Sequence, residues 1–527
     1  MYDILLKNGV VMDGTGTRAY KADVAIADGK IAAVAESIDE GLASNVVDVT
    51  GLTVAPGFID IHSHSDICFI SDDRGEAKIY QGVTSELSGQ CGGSVFPSLP
   101  EKFEALKTQV GNCRKGNFAA HSFEEFLEGV AKRGDRMGTN QLPLVGHGTL
   151  RAGVVGYEDR KATSEEMKKM RELLAADLKT GAWGMSLGLG YTPGLSADQD
   201  ELCQLSLEIG PDGGIITSHM RDQGLGTPKS LEEMFNIYRY SGTHVHIAHF
   251  KATGAASHGK APQWAAIVHR ARANGVNVTA DLYPYTASSS DITNSFPKWS
   301  IMGGKQRAMD AMTGEEKPRL MKELNETFSN SEKAKTLLVV HTCGVFPDMD
   351  GKTLDQIAEA WSLSPADALV KLAYGTKTHA ACISFGMSEE DVEYMLGQNE
   401  FSIGSDGSCL PLDPALNDGK PHPRNFGTFP RFLRLNREKG FCSPEQAIRR
   451  ITGQSADYIG IKDRGYIRTG LVADITVLDM EKVTDKATYT DPFQKPEGIV
   501  HVLMDGQFAV KDGVQTEKRL GKILLRK

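Results

Sequence analysis

Both ends of the chain show short apolar runs separated by turn residues. Near the N-terminus the runs are DILLKNGVVMD, ADVAIADGKIAAVA and NVVDVTG, and near the C-terminus they are LVADITVLD and GIVHVLMDGQFAVKDG. The NG and DG steps within these segments are typical of β-hairpins. Because neither end has enough strands to bury a core alone, we predict one small β-sandwich built from residues 1–50 and 461–527.

Between these ends, residues 51–460 alternate short apolar runs with amphipathic helical patterns such as EEMKKMRELLAADLKTGA and KAPQWAAIVHRARANG. This alternation predicts an α/β fold, a TIM-like (β/α)₈ barrel, rather than an open sheet. The predicted barrel strands are LTVAPGFIDIH, TSELSGQC, LPLVGHG, AWGMSLGLG, GIITSHM, HVHIAHF, VNVTADLYPY and FSIGSD.

One segment interrupts the alternation after the seventh predicted strand. From about residue 288 to 335 the chain becomes charged and rich in methionine, as in GGKQRAMDAMTGEEKPRLMKELNETF. We predict that this segment is an inserted helical lid subdomain. Insertions at the carboxyl end of barrel strands tend to cover the active site.

Composition narrows the class of protein. With 527 residues, 40% hydrophobic and 24% charged, the chain is typical of a globular protein that has a barrel and a smaller module. A net charge of −10 argues against nucleic-acid or membrane-surface partners and leaves a small-molecule substrate. No signal-peptide pattern or long apolar stretch is found, so we expect a cytoplasmic protein. The eight cysteines form no CxxC pair and are expected to be free thiols, and the oligomeric state is left open.

Several predicted strands end in residues that bind metals or move protons. Because alternate residues of a strand face the same way, an HxH pair places two imidazoles on one side. Each residue alone is more often structural, but catalytic groups of barrels come from several strand ends together. Imidazole and thiolate ligands favour zinc over magnesium or calcium. The candidates are His62, His64, Cys91, His219, His249 and Asp406.

An ordered set of motifs resembles a known family. The set is HSHSD, GQCGGS, GHGTLR, SLGLGYTPG, SHMRDQG, AHFKATG, ADLYPYTASSS, GSDG and HPRNFGTFPR. In this order the motifs resemble the N-acyl-D-amino-acid deacylases, or D-aminoacylases, of the amidohydrolase superfamily. The resemblance extends from about residue 3 to the C-terminus and implies hydrolysis of N-acyl-D-amino acids to a carboxylate and a free D-amino acid.

The resemblance also implies a role for each site residue. Cys91, which replaces the carboxylated lysine of many relatives, would hold a tight zinc ion with His219 and His249. His62 and His64 would line a second, weaker metal site. The general base that activates water would be Asp406.

Binding of the substrate is assigned to a further group of residues. The resemblance implies that Lys251, Tyr283 and Arg424 bind the substrate α-carboxylate, and a planar guanidinium suits that task. Tyr191 is a candidate for the acyl pocket and Ser289 for a hydrogen bond to the substrate. Relatives that act on acidic D-amino acids use a basic residue after the YPY motif, where Lys298 stands in this chain.

Two other functions stay open at this level. A cyclic amidohydrolase of the hydantoinase type would use a similar metal centre, but such enzymes usually bridge two metals with a carboxylated lysine, and Cys91 takes that place here. A non-catalytic scaffold is the other alternative, although such relatives typically lose metal ligands. The preference for D-substrates depends wholly on the resemblance.

Overall fold

The computed structural model describes residues 1–66, 72–100, 120–134, 137–210, 214–329 and 331–527. The strands in these residues are β1 Ile4–Val11, β2 Tyr20–Ala27, β3 Lys30–Ala35, β4 Val46–Asp48, β5 Thr53–Pro56, β6 Phe58–Asp60, β7 Val83–Ser88, β8 Asn140–Pro143, β9 Val145–Gly146, β10 Gly184–Gly188, β11 Ile215–His219, β12 His244–Ile247, β13 Val278–Leu282, β14 Ala287–Asp291, β15 Leu337–His341, β16 Lys352–Thr353, β17 Ala381–Phe385, β18 Phe401–Ile403, β19 Ile475–Leu478, β20 Ile499–Met504, β21 Gln507–Lys511 and β22 Val514–Gln515.

The α-helices in the same residues lie mostly between the barrel strands and in the insertion. They are Glu76–Ile79, Phe123–Lys132, His147–Val154, Ser164–Thr180, Gln199–Ile209, Thr227–Ser241, Ala261–Ala273, Lys298–Ile301, Gly304–Thr313, Lys317–Thr327, Ser331–Lys335, Leu354–Trp361, Pro365–Gly375, Glu389–Leu396, Arg424–Lys439, Pro444–Arg450 and Gly453–Ile459.

Eight parallel strands form a barrel, as the sequence predicts, except that the first predicted strand divides: its TVAP part is β5 of the terminal sheet, and only β6 belongs to the barrel. Strands β6, β7 and β8 pair in one parallel sheet, and β9 to β13 continue in a second that ends at β18. Strands β8 and β9 are one barrel strand interrupted at Leu144. A parallel bridge between Ser63 and Gly407 joins the first strand to the last, so their carboxyl ends meet.

Capping residues in the sequence determine where a barrel helix begins and ends. In the helix Ser164–Thr180, the Thr163 side chain accepts from the backbone of Glu166, and the Glu166 carboxylate bonds back to the backbone of Thr163. The helix ends at Gly181, whose φ of +116° lies in the left-handed region that glycine adopts readily. Its buried face then packs on the barrel.

The two ends of the chain build one nine-stranded sheet, which agrees with the predicted terminal module. The order is β22–β21–β20–β19–β5–β1–β2–β3, with β4 beside β1. The N- and C-terminal parts meet where Val54 on β5 pairs with Val477 on β19. Leu6, Val24 and Leu503 belong to the apolar cluster that this sheet shares. The exact division of the chain at residues 50 and 460 stays a prediction.

The insertion is larger than the predicted helical segment at 288–335. It runs from β14 to β17 and contains the antiparallel sheet β14–β17–β15–β16 as well as helices. It has an apolar cluster of its own, which includes Ile292, Leu320 and Leu369. The runs LLVVH and ACISF become strands because they pair with each other, and a five-residue apolar run alone does not distinguish a strand from a helix.

Two further expectations concern location and thiols. Among the described residues, every helix is too short or too polar to cross a bilayer, and the cytoplasmic location stays a prediction. Five cysteines are free thiols, as expected. Cys343 is disulfide-bonded, so the expectation of free thiols is wrong for that residue. Cys68 and Cys113 lie outside the described residues.

The buried Asp177 makes stability depend on pH. Its Oδ1 accepts from the backbone N–H of Phe123 at 2.8 Å, and its buried Oδ2 has no hydrogen-bond partner among the described residues. Burial raises the pKa of this carboxyl to about 7. Folding therefore favours the protonated form, and this stabilisation is lost as the pH rises from about 4 towards 7, at up to about 1.4 kcal/mol per pH unit.

The Asn side chain of Asp177→Asn stays neutral at every pH. We therefore expect the melting temperature of this variant to exceed that of the parent by a margin that grows as the pH rises from about 4 towards 7. Thermal unfolding of both proteins at about pH 5 and about pH 8 measures this effect. An equal difference in melting temperature at the two pH values would contradict it.

Candidate metal centre and active site

Three ligand atoms converge at the ends of β7, β11 and β12. Cys91 Sγ lies 3.3 Å from His249 Nε2, and His219 Nδ1 lies 3.0 Å from the same nitrogen. All three ligand atoms lie within 4.8 Å of one another. Two ligands of one tetrahedral zinc ion are roughly 3.3 to 3.6 Å apart, given the usual zinc–nitrogen and zinc–sulfur distances. The donor set and its spacing therefore fit zinc.

A second group of possible ligands shares Cys91 with the first. It consists of His62, His64, Cys91 and Asp406. His64 Nε2 lies 3.0 Å from Asp406 Oδ1, and His62 Nε2 lies 3.5 Å from that oxygen and 3.5 Å from Cys91 Sγ. Because Cys91 belongs to both groups, it would help to hold a metal ion at either of them.

The backbone is unusual at three of these residues. Cys91, His249 and Asp406 have φ values of +54°, +37° and +51°, in the left-handed region that non-glycine residues seldom adopt. Such conformations cost of order 1–3 kcal/mol each and persist where the surrounding structure enforces them. Their clustering at one rim of the barrel marks this rim as the functional end.

Electrostatics keep the acidic groups ionised. Burial raises the pKa of Asp406, but the Arg424 guanidinium at 2.9 Å and the nearby imidazoles outweigh it, so the pKa is well below its usual range. Burial also raises the pKa of the Cys91 thiol, and the charges of His249 and His62 lower it well below normal. Cys91 is therefore a thiolate, the form that binds metals.

A glycine-rich turn after β10 packs against this centre. A Cβ at Gly190 would lie 2.9 Å from His219 Nε2, so only glycine leaves room for that imidazole. The next residue, Tyr191, has its ring centroid 4.4 Å from that of His219. Tyr191 thus borders the metal centre and lines the cavity beside it, and its role in an acyl pocket stays a prediction.

Asp281 orients the histidines from inside the barrel. Its Oδ1 accepts from the backbone N–H of His249 at 2.9 Å, and its Oδ2 lies 2.8 Å from His246 Nε2 and 3.4 Å from His62 Nδ1. Asp281 thus fixes the backbone at His249 and the ring of His62, and a carboxylate behind an imidazole is typical of metal-binding histidines. The sequence analysis missed His246, although the alternation in HVH places it on the same side of β12 as His244.

The three residues predicted to bind a carboxylate lie together. Lys251 Nζ donates to the Tyr283 hydroxyl at 2.8 Å, and the Arg424 guanidinium lies 5.2 Å from the centre of the Tyr283 ring. All three are buried. Among the described residues, Arg424 Nη1 has no hydrogen-bond partner of good geometry, although it lies 2.9 Å from Asp406 Oδ2. The cluster therefore offers cationic donors to an anion.

A cavity of about 1230 Å³ opens between the barrel rim and the insertion. Nine of the eleven predicted site residues line it, including Ser289 on β14, and so do Lys298 and Asp291. The other two lie behind this surface: His62 contacts Cys91, and Tyr283 contacts Lys251. The structure thus brings every predicted residue to one place.

Comparison with known proteins agrees with this geometry. The model of the Amidohydrolase family matches residues 45–296. The chain is 32% identical to the D-aminoacylase of Alcaligenes xylosoxydans xylosoxydans, over 100% of this chain and 98% of that protein. This chain belongs to the D-aminoacylase family of amidohydrolases.

Solved structures show the same relationship. The crystal structure of a D-aminoacylase described as defining a novel subset of amidohydrolases is 31% identical, with a TM-score of 0.84 over 100% of both chains. The N-acyl-D-glutamate deacylase of Bordetella bronchiseptica, solved with zinc and a phosphonate mimic of the tetrahedral intermediate, is 29% identical, with a TM-score of 0.83 over 99% of both chains. The barrel and the additional sheets of this chain are thus those of the family.

Gly190→Ala tests the contact between the turn and the metal centre. The added Cβ would force His219 or Tyr191 to move, and displacement of a reacting group by about 1 Å can cost about 100-fold in rate. We expect weaker zinc binding and a fall in kcat of that order. Zinc content and steady-state kinetics measure both effects.

The matched control is Gly41→Ala, since a Cβ there meets an atom no closer than 3.4 Å and lies far from the cavity. Parent-like zinc binding and kcat in Gly190→Ala would show that the contact is not required.

Proposed function

We propose that this protein is a zinc-dependent N-acyl-D-amino-acid deacylase, which cleaves the amide bond to give a carboxylate and a free D-amino acid. One observation carries the proposal: a thiolate–imidazole ligand group, the anionic Asp406 and a buried cationic cluster face the same cavity. The preference for the D enantiomer is supported by the relatives alone.

Zinc would be held most tightly by Cys91, His219 and His249, because this group combines the soft thiolate with two imidazoles. His62 and His64, with the shared Cys91, would hold a second ion more weakly. When bound, zinc polarises the acyl oxygen and lowers the pKa of water towards 7.

Asp406 moves the proton in this reaction. As an ionised carboxylate held between His64 and Arg424, it accepts a proton from the water that attacks the acyl carbon. It then donates that proton to the amide nitrogen as the carbon–nitrogen bond breaks. One carboxylate thus serves first as base and then as acid, and the amine leaves in a neutral form.

The cationic cluster orients the substrate. Lys251 and Arg424 supply positive charge and Tyr283 a hydroxyl, a set that suits the free α-carboxylate of an N-acyl amino acid. Because Arg424 also contacts Asp406, a carboxylate bound there lies close to the proton-transfer group. This arrangement supports an open-chain substrate over the unsubstituted ring of a hydantoin, which has no free carboxylate.

The alternatives fit less well. A hydantoinase-type cyclic amidase would need a bridging carboxylated lysine where Cys91 lies. A non-catalytic scaffold would not need the converging ligand atoms or the buried, anionic Asp406.

The first experiment compares hydrolysis of N-acetyl-D- and N-acetyl-L-amino acids, with zinc analysis of the same preparation. We expect turnover of D-substrates alone and at least about one zinc per chain. Bound zinc without turnover of either enantiomer would reject the deacylase proposal and favour a cyclic substrate.

Asp406→Asn tests the proton-transfer role. An amide cannot accept the proton, so we expect kcat to fall roughly 10²- to 10⁴-fold. Zinc at the first group should stay bound, because that group does not include Asp406. Asp177→Asn, which changes a buried aspartate outside the cavity, is the matched control and should keep the parent kcat.

The side-chain preference is tested at Lys298. Lys298 and Asp291 both line the cavity from the insertion, and their charges have opposite effects on an acidic substrate side chain. We propose that Lys298 favours acidic substrates, so Lys298→Ala should lower the ratio of kcat/KM for N-acetyl-D-glutamate over N-acetyl-D-leucine. An exposed charge pair is worth up to about 1 kcal/mol, or about fivefold.

Lys322→Ala removes an exposed lysine of the insertion outside the cavity lining and is the control. An unchanged ratio in Lys298→Ala would remove Lys298 from the specificity site.

A further inference from the structure

A completely buried lysine lies beneath the rim that carries the second ligand group. Lys78, on the short helix Glu76–Ile79, has no exposed surface. Its Nζ donates to Asp60 Oδ2 at 2.6 Å, to Ser405 Oγ at 2.6 Å and to the Gly407 carbonyl at 3.3 Å. It also lies 3.4 Å from Glu86 Oε2. A buried lysine with this many partners has a specific structural task.

The Asp60 carboxylate joins the first and last barrel strands. Its Oδ1 accepts from the backbone N–H of His62 at 3.1 Å and from that of Ser405 at 2.9 Å. Its Oδ2 accepts from the Ser405 hydroxyl at 2.5 Å. One carboxylate thus fixes the segment that bears His62 and His64 relative to the segment that bears Asp406.

The Glu86 carboxylate also holds residues 62–65, the segment that contains both histidines, through the two serines of that segment. Its Oε2 accepts from the hydroxyls of Ser63 and Ser65 at 2.5 and 2.6 Å. Its Oε1 accepts from Thr139 and from Gln141 Nε2. Because Ser63 and Ser65 alternate with the two histidines, their attachment to Glu86 directs the imidazoles of His62 and His64 to the opposite side.

Charge explains why a lysine is needed. Asp60 and Glu86 are both fully buried, and Lys78 is the cation between them. Burial lowers the pKa of Lys78, but the two carboxylates raise it above its usual value, so it stays protonated. Without it, two buried carboxylates would face each other uncompensated, and the segments they hold would move apart.

We propose that Lys78 is a positioning residue for the second ligand group: through Asp60, Glu86 and Ser405 it sets where His62, His64 and Asp406 lie relative to Cys91. This inference rests on the proposed metal-dependent function. In the described structure, no hydrogen bond joins Lys78, Asp60, Glu86 or Ser405 to Cys91, His219 or His249. The Lys78 network therefore acts directly on the second ligand group, and it reaches the first only through residues such as Asp281 and Cys91 that contact both groups.

Lys78→Met tests the proposal in the full-length chain, because methionine fills similar space without charge. Zinc affinity is measured by titration and chelator competition, which do not depend on turnover. We expect the tight zinc to stay bound and the affinity for the second zinc to fall roughly 10- to 100-fold, as is typical when a group behind a metal ligand is removed. In cobalt-loaded protein, an unchanged thiolate-to-cobalt absorption band would report an intact Cys91 group.

Kinetics supply a second readout. Misplacement of Asp406 should lower kcat more than it raises KM. Among the described residues no hydrogen bond joins Lys251 or Tyr283 to the Lys78 network, and a shift of Asp406 reaches the carboxylate-binding set only at Arg424. If Lys78→Met only lowered the stability of the fold, the folded protein would keep both its affinity for the second zinc and its kcat.

Two variants serve as a milder test and a matched control. Ser405→Ala keeps the ion pairs but removes the hydroxyl that links Lys78 and Asp60 to the Asp406 segment, and it should weaken the second zinc site less than Lys78→Met does. Arg450→Met also removes a fully buried cation, one that donates to the Phe401 carbonyl at the opposite end of the same last strand. It should leave both zinc affinities as in the parent.

Three results would overturn the proposal: a second-site affinity in Lys78→Met equal to that of the parent, an equal loss at both sites, or a parent chain that takes up no second zinc. If Lys78→Met does not fold, Ser405→Ala decides by the same criteria. A parent chain that binds two zinc ions but cleaves no N-acyl-D-amino acid would reject the proposed function while the affinity measurements still test Lys78.

Discussion

The closure of eight parallel strands into a ring is the constraint on which this site depends. Parallel strands end at the same rim, so residues far apart in the chain meet there. His64 and Asp406 are 342 residues apart, yet their side chains are 3.0 Å from each other. The backbone N–H of Asp406 donates to the His62 carbonyl at 2.9 Å, so the same seam that closes the barrel also assembles the second ligand group.

The rim concentrates charge in a buried space, and the carboxylates Asp406 and Asp60 each lie beside a cation. Asp406 lies between His64 and Arg424. Beneath the rim, Lys78 lies between Asp60 and Glu86. Such pairs contribute little net stability, because the loss of hydration offsets their attraction. Their value is geometric, since each pair holds a side chain that a metal ion or a proton transfer needs in one place.

Chemistry and selection are carried by different parts of the fold. The proposed metal ligands and the proposed proton-transfer group lie at the ends of the barrel strands. Ser289, Asp291 and Lys298 reach the cavity from the insertion, which has an apolar cluster of its own. A separately packed unit can change its cavity-facing residues without disturbing the barrel. This division fits a family that includes both a D-aminoacylase and an N-acyl-D-glutamate deacylase.

The sequence by itself determined the features that depend on local patterns. Alternation predicted the barrel strands, hairpin residues predicted the terminal sheet, and the residues at the strand ends gave the proposed ligands, because strand direction and side-chain alternation are local properties. Only the tertiary structure decided the rest. The contact of Lys78 with Ser405 spans 327 residues, and the strands of the insertion exist only through their mutual pairing. Cys91 is shared by two possible ligand groups only because four other strand ends, those of β6, β11, β12 and β18, converge on it. Each of these depends on the register between distant segments, which no local pattern encodes.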